Sequence, residues 1–140
     1  MAMTIHVDIV STSREIFSGP VTLVTATGEL GELGILPRHS QLLTRLKPGP
    51  VKLRMLNGEE EIFYVSGGLM EVQPHVVTIL ADTAENAGNL DEAAALEAKR
   101  HAEQLMADKR GDYEYARAEA DLAEAIAQLR TIEKLRKNRH

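Results

Sequence analysis

The stretch NAGNLDEAAALEA, residues 86–98, divides this chain into two physically different halves. All five prolines and nine of the ten glycines lie before residue 89. The residues after that point contain no proline, twelve alanines and a single glycine, Gly111. Because proline and glycine interrupt regular structure whereas alanine favours helix, we predict a first half rich in turns and a helical second half.

The composition of the 140 residues is that of a globular protein, with 44% apolar and 26% charged residues. The absence of cysteine excludes disulfides, thiolate zinc sites and cysteine nucleophiles. The N-terminus does not resemble a signal peptide, and no apolar run approaches the ~20 residues that span a bilayer. We therefore expect a soluble protein on the cytoplasmic side, one that can rest against a membrane complex.

The net charge of −5 disfavours general nucleic-acid binding, but the C-terminal end of the chain is basic. Within residues 130–140, Glu133 is the one acidic residue, and the cations are Arg130, Lys134, Arg136, Lys137 and Arg139. Two interpretations of this basic end remain open. Cations suit the negative end of a helix dipole, and they would equally suit an acidic partner.

Strand-like segments with apolar alternation follow one another through the first half. The first contains Ile5, Val7 and Ile9, and the others occupy residues 21–26, 51–55, 60–66, 69–72 and 76–81. Turns are predicted at residues 18–20 and 73–74, and Asn57-Gly58 predicts a type I′ hairpin turn. Because turn signals recur every eight to twelve residues, we predict an antiparallel β-sandwich or flattened barrel.

Residues 27–36 contain three glycines at intervals of three, with glutamates and leucines between them. The spacing does not match a dinucleotide-binding loop. It favours either a tight strand–turn–strand that needs small residues, or an exposed loop that presents Glu29 or Glu32 to a partner.

Residues suited to catalysis are not grouped in the sequence. His6 and Asp8 would share one face of a strand, as an ordinary surface pair or as two ligands of a metal site whose third ligand is not evident. Neither a Ser-His-Asp grouping nor a Gly-x-Ser-x-Gly elbow is suggested. The sequence thus argues against an enzyme.

The second half predicts two antiparallel helices. Asn89, with Glu92 three residues later, resembles a capping box, and the first helix should reach about Lys109. Gly111 can end it and Asp112 can cap a second helix over about residues 113–136.

Each predicted helix has one apolar seam. In the first helix the seam is Ala94, Ala98, Ala102 and Leu105, with His101 beside it. In the second helix it is Tyr115, Ala118, Leu122, Ile126, Leu129, Ile132 and Leu135. Because alanine buries little apolar area, the hairpin should be marginal alone and should dock on the sandwich or on another subunit. It is either an arm that docks in two places or a rigid coiled-coil hairpin that packs or dimerises.

Four blocks of sequence resemble the epsilon subunit of bacterial F-type ATP synthases. They are GELGILPRHSQLLT at residues 31–44, closing with residues 46–49; VSGG at 65–68, continued by 71–74 and 80–84; LDEA at 90–93, followed by 97–100; and AIAQLR at 125–130. The blocks follow the family order over essentially the whole chain, so together they are specific.

The resemblance implies a ten-stranded β-sandwich domain, residues 1–86, and a regulatory helical hairpin, residues 89–140. It also implies a non-catalytic subunit in the central stalk of the rotor, on the cytoplasmic face of the bacterial inner membrane. In the family the sandwich binds the gamma subunit and the c ring. The hairpin lies on the sandwich or extends toward the alpha and beta subunits, where it inhibits ATP hydrolysis in many members.

The resemblance also implies which partner individual residues contact. Glu32 falls in the loop that faces the c ring, and Ser11 and His39 match positions on the face near gamma. Arg38 belongs to the segment that contributes to the gamma and ring contact. The basic end matches the part that reaches an acidic segment of beta, and its residues are Arg130, Lys134, Arg136 and Lys137.

Two departures from the family pattern affect these expectations. Residues 37–41 read PRHSQ where the family often has PGHAP, so Arg38 stands at a position where glycine is common. ATP-binding members carry an arginine where this chain has Ala94. Because that cation is a natural phosphate partner, we expect no cofactor and predict weak or absent ATP binding, which isothermal titration of the purified chain would check.

A different function remains as the alternative: a free-standing ligand-binding sandwich with a coiled-coil dimerisation arm. Co-purification separates the two hypotheses. A rotor subunit requires gamma, whereas the alternative requires a homodimer and a ligand.

Overall fold

The computed structural model describes residues 3–108 and 111–138, which form ten strands, a short 3-10 helix and two α-helices. The strands are β1 (Ile5–Ser11), β2 (Glu15–Val21), β3 (Leu23–Gly28), β4 (Gly31–Ile35), β5 (Leu42–Leu46), β6 (Gly49–Arg54), β7 (Glu60–Val65), β8 (Gly68–Val72), β9 (Val76–Ala81) and β10 (Ala84–Asn86). The 3-10 helix covers Ala87–Asn89, and the α-helices are α1 (Glu92–Asp108) and α2 (Asp112–Asn138). A β-sandwich followed by a helical hairpin is therefore confirmed.

The strands pair in the order β10-β7-β6-β3-β5-β8-β9-β1-β2, with β4 paired to β3 outside this path. All pairings are antiparallel except that of β1 with β9. The path folds over one apolar core, to which nearly every strand contributes fully buried residues such as Val7, Val24, Leu53, Met70 and Ile79. The predicted inward set Ile5, Val7 and Ile9 is fully buried.

Two of the predicted turns differ from the structure. Ser18-Gly19-Pro20 lies inside β2, not in a turn, and the chain reverses between Ser11 and Arg14. Proline is tolerated there because β2 is an edge strand and its missing N–H breaks no ladder. At the β6–β7 hairpin, Gly58 has φ +86° but Asn57 does not have positive φ, so the predicted type I′ turn is wrong.

The β6–β7 connection is instead a three-residue loop. The Gly58 N–H donates to the Met55 carbonyl, and the Met55 N–H donates to the Glu59 carbonyl. The Asn57 side chain accepts the Glu59 N–H at 2.9 Å. This arrangement requires positive φ at one residue, which glycine supplies.

The tight strand–turn–strand predicted for residues 27–36 is confirmed. In the β3–β4 pairing, Val24 lies opposite Ile35 at one end and Gly28 lies opposite Gly31 at the other. Glu29 and Leu30 therefore form a two-residue turn. The Leu30 side chain is fully exposed at this tip.

The beginnings of both helices lie elsewhere than predicted. Asn89 belongs to the 3-10 helix, and Asp91 caps α1 through its Oδ1 atom, which accepts the Ala94 N–H at 3.2 Å. Asp112 lies in the first turn of α2, because the Gly111 carbonyl accepts the Tyr115 N–H. Lys109, the predicted end of the first helix, is outside the described residues.

The apolar seams of the helices are partly wrong. In α1, Ala94 and Ala98 are exposed, whereas Ala95 and Ala102 are buried. In α2, Tyr115 is exposed and only Ala118 and Ile132 of the predicted seam are fully buried. The helix also buries residues outside that seam, namely Ala125, Ala127 and Thr131. The reason is that α2 packs against α1 on one side and against β6 and β7 on the other.

Candidate partner-binding surfaces

The helical hairpin of α1 and α2, which we call the arm, rests on the sandwich through the C-terminal half of α2. It covers the outward faces of β6 and β7, and α1 packs chiefly on α2. Ile62 and Tyr64 alternate with the core residues Phe63 and Val65, so they face outward and are nevertheless buried. Since four successive β7 residues are buried, both faces of this strand are covered, one by the core and one by the arm.

The buried residues of α2 are small apart from Ile132; the others are Ala118, Ala125, Ala127 and Thr131. Thr131 has no exposed surface, and its hydroxyl donates to the Ala127 carbonyl one turn earlier at 2.8 Å. Ala127 and Thr131 lie one turn apart on one side of the helix. Small side chains permit a close approach but bury little apolar area each, so the docking free energy should be modest.

The Tyr64 hydroxyl is buried at this interface. The residue is 2% exposed, and Glu124 and Gln128 of α2 lie beside its hydroxyl without forming a hydrogen bond of normal geometry. Burial raises the pKa of Tyr64 well above its ordinary value, and the negative charge of Glu124 on α2 adds to this shift. A buried hydroxyl without a well-formed hydrogen bond costs up to about 1–3 kcal/mol, so the docked arm includes one poorly satisfied polar group.

Ion pairs connect the end of the arm to the rest of the molecule. The Lys134 ammonium lies 3.2 Å from the Glu32 carboxylate in β4, and Arg136 pairs with Glu92 at the start of α1. Lys137 pairs within its own helix with Glu133 at 3.6 Å. The pair between Lys134 and Glu32 therefore joins the arm directly to the sandwich.

A groove separates the β3–β4 turn from the end of α2. Its walls come from the turn, residues 27–32, and from Lys47, Pro50, Arg130 and Lys134. Glutamates of the turn thus face cations of the arm. The family resemblance assigns Glu32 to the c ring and Lys134 to beta, whereas in this structure the two side chains pair with each other.

The other side of the sandwich exposes apolar side chains. Leu69 of β8 lies opposite Leu80 of β9, and Leu80 lies opposite Val10 of β1. Leu43 of β5 continues this surface diagonally, since its neighbour Arg45 is paired with Leu69. The three leucines are exposed, and we call this surface the leucine face.

Ser11 and His39 lie at opposite ends of this side. Ser11 ends β1 beside Ala81, whereas His39 follows a turn next to Pro74, at the other end of β9. Arg38 has φ +66°, in the centre of that turn. Its N–H donates to the Pro74 carbonyl, which fixes the turn against the β8–β9 connection.

His6 and Asp8 form a hydrogen-bonded cluster with Ser18. The Asp8 carboxylate accepts the Ser18 hydroxyl at 2.6 Å and lies 3.0 Å from His6 Nε2. The Ser18 bond, together with the neighbouring imidazole, lowers the pKa of Asp8. Among residues 3–108 and 111–138, no group of three or more His, Cys, Asp or Glu side chains is placed to hold a metal ion.

Sequence reasoning missed the docking surface on β7. Ile62, Tyr64, Glu124 and Gln128 were not candidate residues, although the uninterrupted apolar run of residues 62–65 was visible. Such a run in a short strand indicates that both of its faces are covered.

Two family models match this chain in succession. The ATP synthase delta/epsilon chain β-sandwich domain matches residues 4–87, and the long α-helix domain of the same chain matches residues 89–133. No helix in residues 92–108 or 112–138 is long and apolar enough to cross a membrane.

Known relatives agree with these models. The ATP synthase epsilon chain of Nitrosococcus oceani is 63% identical over 137 residues, and that of Legionella pneumophila (strain Lens) is 59% identical, each alignment covering 98% of both chains. The epsilon chain of Thioalkalivibrio sulfidiphilus is 57% identical over 99% of both chains. A chain in the Euglena gracilis mitochondrial ATP synthase structure, OSCP/F1/c-ring in rotational state 1, superposes with a TM-score of 0.73. It is 23% identical, covers 98% of this chain and 82% of its own, and supports the fold alone.

The fold and these matches define a non-catalytic subunit of a rotary ATP synthase. The chain belongs to the delta/epsilon family of ATP synthase subunits. Within it, the chain has the role of the epsilon subunit, which takes part in proton-driven ATP synthesis.

Proposed function

We propose that one side of the sandwich forms a permanent contact with a partner subunit, and that the other side binds the arm reversibly. The leucine face binds the gamma subunit, and the β3–β4 turn contacts the c ring. The arm, residues 89–140, leaves the sandwich, residues 1–86, and extends toward the alpha and beta subunits, where it inhibits ATP hydrolysis. The observation that carries this proposal is that the docked arm covers β6 and β7 and leaves the leucine face open.

Gamma is the partner assigned to the leucine face. Contiguous exposed leucines on a sheet are typical of a protein-binding surface. Ser11 and His39, which the family resemblance places near gamma, lie at the two ends of the same side. The exposed Leu43, Leu69 and Leu80 would therefore form the apolar centre of the contact, with polar residues at its margin.

The ring contact is assigned to the β3–β4 turn. Leu30 protrudes fully into solvent, and Glu32 carries a negative charge beside it. A partner loop that offers an apolar patch with a hydrogen-bond donor or cation would fit this turn. Such a contact would put the subunit on the cytoplasmic face of the bacterial inner membrane.

The basic end of the arm is assigned to an acidic segment of beta. In the docked state Lys134 and Arg136 already have acidic partners within the chain, Glu32 and Glu92. Exchanging one set of exposed ion pairs for another costs little, because each contributes about 0–1 kcal/mol. The arm can therefore change place without a large electrostatic barrier, and its extended state should weaken as salt is added.

Removal of residues 89–140 tests the inhibitory role of the arm. In an assembled ATP synthase, we expect the truncated subunit to keep its place on gamma and ATP hydrolysis to rise. Hydrolysis unchanged by truncation, with the subunit still present in the complex, would contradict inhibition. A variant with Leu69 and Leu80 changed to serine tests the other assignment, since it should co-purify poorly with gamma while its arm stays docked.

A further inference from the structure

We infer that the β3–β4 turn is a shared site, which binds either Lys134 of the chain's own arm or the c ring. This inference rests on the ring contact of the proposed function and extends it. If both ligands require Glu32, binding of the ring must favour release of the arm. The docked arm must in turn weaken binding of the ring by the same factor.

The geometry at Glu32 supports the exchange. Its carboxylate is 3.2 Å from the Lys134 ammonium, and the Glu32 side chain keeps 63% of its surface exposed. The carboxylate is thus accessible from outside the molecule while it is paired. A partner approaching it also meets Arg130, which lines the same groove.

Charge makes simultaneous occupation unfavourable. A ring loop that binds Glu32 must present a cation or a hydrogen-bond donor. A cation would face the ammonium of Lys134 across one carboxylate, where like charges repel, and a neutral donor would compete with that ammonium for the same oxygens. The simplest relief is movement of the Lys134 side chain away from Glu32, which removes the ion pair that joins the arm directly to the sandwich and so weakens docking.

The strength of the coupling is bounded by the exposure of the pair. Exposed ion pairs contribute about 0.2–1 kcal/mol, which corresponds to a change of up to about fivefold in an equilibrium constant. The Lys134–Glu32 pair therefore adjusts the balance between two arm positions without determining it alone. High salt should reduce the coupling because both groups contact solvent.

Glu32→Gln, Lys134→Gln and the double variant test the intramolecular half in the full chain. The absence of cysteine allows spin labels at two introduced cysteines, replacing Asn57 on the sandwich and Arg117 on α2. We expect each single variant to lower the docked-to-released ratio by up to about fivefold, and the double variant to lower it no further. Lys137→Gln is the matched control, because Lys137 pairs within its own helix.

Binding of purified c ring in detergent tests the other half. Added ring should lower the docked fraction of the unmodified chain, and Lys134→Gln should bind ring up to about fivefold more tightly, with Lys137→Gln unchanged. If Glu32→Gln weakens ring binding but Lys134→Gln leaves it unchanged, the ring contact stands and the shared site is refuted. If Glu32→Gln binds ring as well as the unmodified chain, the assignment of the ring contact to Glu32 itself fails.

Discussion

Arg38 has a backbone conformation that favours glycine. The Leu36 carbonyl accepts the His39 N–H at 3.1 Å, which closes a turn with Pro37 and Arg38 at its centre. A turn with proline first and positive φ second is of type II, and it usually has glycine at the second position. The family's frequent glycine at this position therefore has a conformational reason, and Arg38 makes the turn strained.

Arg38→Gly should consequently stabilise the chain. A residue with a Cβ atom costs roughly 1–2 kcal/mol in the left-handed region, and the extra freedom of unfolded glycine offsets part of this gain. We expect a net increase of about 0.5–1 kcal/mol in the free energy of unfolding, measured with urea. Arg38→Ala is the control, because alanine retains the Cβ atom. An equal gain in both variants would show that the guanidinium, and not the backbone, is the cause.

Asp8 provides a prediction about pH. Ser18→Ala removes the hydrogen bond that contributes most to its low pKa, so the pKa of Asp8 should rise toward its ordinary value. A carboxylate with a depressed folded-state pKa stabilises the fold above its unfolded pKa, and this contribution disappears as pH falls through the folded value. The stability difference between Asp8→Asn and the unmodified chain should therefore shrink below about pH 4. Carbon-detected NMR titration of the carboxyl would measure the shift, and an unchanged pKa in Ser18→Ala would contradict this account.

At the level of elements, sequence patterns predicted strands and helices well but predicted their packing less well. Alternation located β1 because one of its faces is apolar and the other is not. The prediction of a single apolar seam was wrong for α2 because this helix packs on two sides. Its second buried side was not visible in the sequence, since small residues such as Ala127 and Thr131 carry no strong apolar signal. The pairing of Glu32 with Lys134 spans 102 positions, and no local pattern encodes such a contact.

Tyr64→Phe should strengthen the docking of α2 on β7. The change keeps the ring and removes a buried hydroxyl that forms no hydrogen bond of normal geometry with its neighbours Glu124 and Gln128. We expect the docked arm to gain about 1 kcal/mol, roughly fivefold in the docked-to-released ratio, measured by protection of α2 from protease. Tyr115→Phe is the matched control, because Tyr115 is exposed. Weaker docking in Tyr64→Phe would show that Glu124 and Gln128 of α2 stabilise the hydroxyl.

At the scale of the whole molecule, the leucine face, which we assign to gamma, and the movable arm lie on different sides of the sandwich. The leucine face and the surface under α2 belong to different sides of one sandwich, so occupation of one leaves the other free. Ten strands share a continuous apolar core, whereas small side chains and the exposed Lys134–Glu32 ion pair hold the arm on the sandwich. The sandwich should therefore remain folded while the arm is released.

Fixing the arm to the sandwich tests this separation in the assembled motor. Cysteines introduced at Lys47 and Arg130, which line one groove, can be joined by a bismaleimide because the chain has no other cysteine. We expect the joined subunit to bind gamma normally and ATP hydrolysis to be faster than with the same variant left unjoined, since a fixed arm cannot reach alpha and beta. The unjoined double variant controls for loss of the two cations. Identical rates of hydrolysis and synthesis in the two forms would mean that the arm does not need to move, because its docked position would then be compatible with every working state of the motor.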